Sequence, residues 1–126
     1  MTPATDQIKG YDYDVVPVVI ANGASLSAAG DVSAGEIVGI EIPAFTNAAL
    51  SFQVSTDGIT YRDLYNSDGT TETSTGASVG ARVVAAPAAL KECGSISVKV
   101  RSGLTGAVVV QGAARTVNLI LQRVYG

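Results

Sequence analysis

The chain has 126 residues, enough for one domain with a hydrophobic core of its own. Apolar residues make up 47% and charged residues 15%, a balance that excludes disorder of the whole chain. A net charge of −3 and a pI near 4.7 argue against a general nucleic-acid binder, which is normally basic.

Val, Ala, Ser, Thr and Gly dominate the composition, and this mixture favours strands over long helices. Residues 1–14 are polar, with no hydrophobic period and none of the apolar stretch of a signal peptide. They are expected to form an extended arm, ordered by contact with a partner. Ile8, Tyr11 and Tyr13 are the arm's candidate anchors, and the domain proper is expected over 15–126.

Val15 to Ile20 is a near-continuous apolar run interrupted by Pro17, which marks an edge strand or a bulge. Asn22-Gly23 and Gly30-Asp31 are turn signals. Between them, a short strand is expected around Leu26. Glu36 to Ile42 contains four β-branched residues and ends at Pro43. Leu50, Phe52 and Val54 alternate with Ser51, Gln53 and Ser55, the period of a half-buried strand. Thr56-Asp57-Gly58 reads as a hairpin turn and Asn66-Ser67-Asp68-Gly69 as a second one. Between the turns, Ile59, Tyr61, Asp63 and Tyr65 are expected on one face of a returning strand. Thr70 to Thr75 reads as polar, β-prone and exposed.

A further strand is expected over Ser78 to Ala86, centred on Val83 and Val84. Ala85 to Lys91 is the one candidate helix. Ser95 to Arg101 alternates, with Ile96, Val98 and Val100 inward and Ser95, Ser97, Lys99 and Arg101 outward. Ala107 to Gln111 and Arg115 to Val124 complete the series, the latter with Val117, Leu119 and Leu121 on one face. Eight or nine short strands with turn signals every eight to twelve residues predict an all-β antiparallel sandwich, jelly-roll-like.

The chain contains no His and one Cys. Ser-His and Cys-His nucleophile pairs, an internal disulfide and a Cys-based zinc site are therefore excluded. No catalytic residue, cofactor or metal ligand is assigned, and the chain is not read as an enzyme. Gly76-Ala-Ser-Val-Gly80 matches the nucleophile-elbow pattern, but that elbow needs an α/β sheet and a His partner. Asp57, Asp63, Asp68 and Glu72 suggest calcium by type, yet lack EF-hand spacing and fit Asp-Gly turns better. Tyr61 and Tyr65 read either as cross-strand packing, which is favoured, or as an aromatic platform for a sugar. Cys93 reads as a small packed residue, with a disulfide to a neighbouring subunit as the alternative. No apolar run reaches the ~18 residues of a membrane span, so no membrane partner is expected.

Charge is divided unevenly. Residues 1–81 hold ten acidic and two basic side chains; residues 82–126 hold one acidic and six basic. Either the two halves interleave within one domain, or the molecule has acidic and basic ends suited to side-by-side assembly.

The segment Leu50-Ser-Phe-Gln-Val-Ser-Thr-Asp-Gly-Ile-Thr-Tyr61, followed by Asp68-Gly69, resembles a group of small virion proteins of tailed bacteriophages. Ile37-Val-Gly-Ile-Glu-Ile-Pro43, Ser97-Val-Lys-Val-Arg-Ser-Gly103 and Gln111-Gly-Ala-Ala-Arg-Thr-Val117 resemble further segments of that group, in the same order. The resemblance spans about residues 15 to 124. It implies a β-sandwich that decorates or cements the capsid by binding between major capsid proteins. It also implies a homo-oligomer, with a trimer favoured, and a place on the virion surface after synthesis in the host cytoplasm. The alternatives are a neck or tail position, or a carbohydrate-binding module on the virion.

Overall fold

Alternation of apolar and polar residues divides the chain between two antiparallel sheets. The structure is a computed structural model that describes residues 12–77 and 79–123. Nine strands occur among the described residues: β1 (Tyr13–Ile20), β2 (Gly30–Asp31), β3 (Gly35–Ile42), β4 (Leu50–Ser55), β5 (Arg62–Asp63), β6 (Arg82–Ala85), β7 (Ser97–Leu104), β8 (Ala107–Val108) and β9 (Arg115–Arg123). A short helix, α1 (Ala88–Glu92), precedes β7. The first sheet has the order β1-β9-β3-β6; the second has β2-β7-β4-β5, with β8 paired to β7. The all-β sandwich expected from the sequence is the fold observed.

The core lies between the sheets. Ile40, Ile42, Val117, Leu119 and Leu121 line the inner face of the first, while Leu50, Phe52, Val98 and Val100 line that of the second. Leu90 of α1 is buried in the same cluster. The helix is thus a plug, and its Leu packs as the strand residues do.

Pro17 belongs to an edge strand, as its chemistry requires. Arg123 N–H donates to Asp12 O at 3.1 Å, which makes the even-numbered residues of β1 the hydrogen-bonded partners of β9. Odd-numbered Pro17 therefore places its missing N–H on the side away from β9, where no ladder bond is lost.

Several boundaries differ from the sequence expectations. β1 starts at Tyr13, paired with Gln122, so Tyr13 and Asp14 belong to the sheet. Leu26 forms a single bridge to Arg101. The strand expected over Ile59 to Tyr65 shrinks to β5, because Asp57 holds the preceding backbone in a turn. The expected 78–86 strand is limited to β6. Ile96, expected inside, precedes β7 and is 39% exposed.

Two expectations about exposure are corrected. Thr73 is buried: its N–H donates to Leu64 O (3.0 Å) and its hydroxyl to Asn66 Oδ1 (2.7 Å). Arg101 points outward from β7 as expected, yet is only 6% exposed, because the chain folds back over it. The charge halves interleave. β9 and β6 of the basic half pair with β1 and β3 of the acidic half, and β7 lies between β2 and β4.

Candidate docking face

The outer faces of the two sheets are built differently. That of the second sheet is polar and roofed by its own chain. Arg101 Nη2 donates to Asp63 Oδ1 (2.6 Å), and its Nη1 donates to Glu72 Oε2 (3.0 Å), Thr105 Oγ1 (2.9 Å) and Ser51 Oγ (3.2 Å). The Asp63 carboxyl is held below its usual range, chiefly by the hydrogen bond from Arg101. A bridge between Ser51 and Ser74 carries the covering segment across β4. Nearby, Lys99 Nζ lies 4.5 Å from the centre of the Tyr61 ring, and the Tyr61 hydroxyl shares a 2.7 Å hydrogen bond with Ser97 Oγ.

The two Asp-Gly turns cap themselves. Asp57 Oδ1 accepts from the Ile59 and Thr60 N–H groups at 2.8 Å each, while Ser55 Oγ accepts from Gly58 N–H at 2.8 Å. Asp68 Oδ2 accepts from the Thr71 hydroxyl at 2.6 Å, and its Oδ1 accepts from Thr71 and Thr70 N–H at 2.8 and 2.9 Å. These donors favour the ionised carboxylates and lower both pKa values to about 2. Gly58 and Gly69 complete the turns with φ of +79° and +74°. The four carboxylates considered for calcium are thus divided between two turns and the Arg101 cluster. Among the described residues, no three His, Cys, Asp or Glu side chains gather into a metal-holding group.

The outer face of the first sheet has no such roof among the described residues. Its register places Val15, Ile120, Gly39 and Ala85 in one row across β1, β9, β3 and β6. A second row runs Pro17, Asn118, Glu41 and Val83; Tyr13, Gln122 and Glu36 form a third. Val15 is 58% exposed and Val83 62%. Strand periodicity explains the layout: the odd-numbered residues of β1 face outward, and three of them, Tyr13, Val15 and Val19, are large and hydrophobic. A bulge between Ile37 and Gly39 shifts β3 by one residue and brings Gly39 to the outer face. Asn118 Nδ2 donates to Glu41 Oε1 at 2.7 Å and fixes that carboxylate on the surface.

Of the candidate contact residues, Tyr13 stands at one corner of this face. Ile8 and Tyr11 lie outside the described residues, as does Ser78 of the nucleophile-elbow match. Cys93 is half-buried at the end of α1, with its thiol 3.5 Å from Leu90 O and Ser95 Oγ. It lines an open cleft of about 520 Å³ with Tyr65, Asn66 and Ala89, whereas the Tyr61 ring is engaged by Lys99 and Ser97. Val15 and Val19 were read from the sequence as parts of a strand, not as contact residues. Their signal was the near-continuous apolar run Val15 to Ile20, broken only by Pro17, where a half-solvated strand would alternate.

The chain matches no family model, and neither curated proteins nor solved structures yield a match.

Proposed function

We propose that this chain is a structural virion protein that decorates and stabilises the capsid of a tailed bacteriophage, seated between major capsid proteins. The observation that carries this is the contrast between the sheets among the described residues: one covers its outer face with its own chain, while the other leaves uncovered an apolar row, Val15, Ile120, Gly39 and Ala85, with Val19 and Val83 exposed beside it. A contiguous apolar patch on a small domain marks an interaction surface. The four ordered sequence motifs support the phage assignment, and they occupy β3, β4, β7 and the entry to β9. A protein that binds only the assembled shell stabilises it by mass action, with no chemistry required. Repetition of the site over a symmetric shell adds avidity if the chain is oligomeric.

The test is addition of purified chain to expanded heads that lack it. Saturable binding and a higher melting temperature of the heads are expected. Heads that bind none of the chain contradict the proposal. A carbohydrate module receives less support, because the Tyr61 ring already stacks under Lys99.

A further inference from the structure

We infer, resting on that role, that the outer face of β1-β9-β3-β6 is the surface that meets the capsid, and that its counterpart there is an apolar protein surface bearing lysine or arginine. The charges of the face set the chemistry. Glu36 and Glu41 are exposed on β3, a central strand of the sheet: Glu36 ends the Tyr13 row, and Glu41 lies within the Pro17 row between Asn118 and Val83. By register, no lysine or arginine among the described residues shares the face. Arg115 and Arg123 follow the inward alternation of β9. Arg82 follows the inward alternation of β6, but it stands exposed at the end of that strand and lines a cleft with Glu41, Val83, Thr116 and Asn118 of the face, leaving Glu36 as the carboxylate farther from that cation. An apolar surface with two central carboxylates is complemented by an apolar surface with cations, and like charges would penalise other partners.

A second copy fits this face poorly. Four strands at about 4.8 Å spacing and about 24 Å of strand length give roughly 450 Å² of outer surface, near half of what one partner contributes to a standard interface. A face-to-face two-fold pair would also bring four carboxylates toward its middle. An area this small suits attachment repeated over a lattice better than a free-standing dimer.

The experiment titrates full-length chain onto heads lacking it, with Val15→Asp, the double variant Glu36→Lys/Glu41→Lys, and Ile59→Asp as a control. Ile59 is 83% exposed on the Asp57 turn, away from the face. Circular dichroism melting confirms that each variant is folded. Val15→Asp and the double reversal should each weaken binding at least tenfold, and wild-type binding should weaken between low and high salt. The control should bind as wild type does. If wild type binds but both face variants bind within twofold of it, the face is wrong and the capsid role stands. If the isolated chain sediments as a dimer that Val15→Asp dissociates, the occupant is a second copy and the inference is overturned. If wild type does not bind heads, the capsid role fails and the inference fails with it.

Discussion

Arg101 Nη2 lies 2.6 Å from Asp63 Oδ1, which ties β7, an inner strand of the second sheet, to β5 at its edge. The same guanidinium reaches Glu72 at 3.0 Å. One buried cation thereby fastens two segments that have little regular strand structure of their own. Its side chain is 7% exposed, against 27% for Asp63 and 12% for Glu72. Removing the cation leaves two partly desolvated carboxylates side by side. Arg101→Ala should cost about 3 kcal/mol, the low end for breaking a buried pair, because Asp63 retains some water. Urea unfolding measures it; a loss below about 1 kcal/mol would show that the cluster is ordinary surface electrostatics.

Acid should loosen the turns. Asp57 and Asp68 have folded pKa values of about 2, below the ordinary 3.8. Groups with depressed pKa values contribute stability that is present above the unfolded value and lost as pH falls through the folded one. The urea midpoint should therefore decline between pH 4 and pH 2, with Asp63 adding in the same direction. The Asp57→Ala/Asp68→Ala double variant should start lower at pH 7 and fall less steeply across that window. Parallel curves for the two proteins would contradict this.

Gly103 is held at φ +91°, and an added Cβ would collide with Ala107 O and come 2.8 Å from Val108 Cα. Backbone cannot yield as a flexible side-chain tip does. Gly103→Ala should cost about 2–3 kcal/mol, combining unfavourable φ with overpacking. Gly76→Ala, where a Cβ meets open space, should be close to neutral by thermal melting.

Gln111 is fully buried and satisfies both polar groups of one residue: its Oε1 accepts from Thr46 N–H at 2.8 Å and its Nε2 donates to Thr46 O at 3.1 Å. Arg115 Nε also donates to Oε1, at 3.1 Å. Gln111→Leu keeps the volume but orphans these groups, and should cost about 2 kcal/mol in urea unfolding.

The strands with clean alternation were legible in the sequence. Leu50 to Ser55 is β4 residue for residue, and Val117, Leu119 and Leu121 share the inner face of β9 as expected. Two of the misplacements share a physical cause. Thr73 and Arg101 read as surface residues because their burial depends on a fold-back across the sheet, which pairs residues far apart in the chain. Local periodicity cannot register that contact. The docking face was partly visible: the excess of outward valines in β1 departs from alternation, but only the register with β9, β3 and β6 aligns Val15 with Ala85. Of the contact candidates chosen from the sequence, Tyr13 falls on this face, at its corner.

The most direct test of the proposed virion role is to purify tailed-phage particles from the source of this chain and measure its copy number against the major capsid protein by quantitative mass spectrometry. A shell-wide decoration protein predicts a ratio near one or a simple fraction of it. A dozen or so copies per particle would place the chain at the neck or tail and contradict shell-wide decoration. Absence from the particle would contradict a virion role altogether.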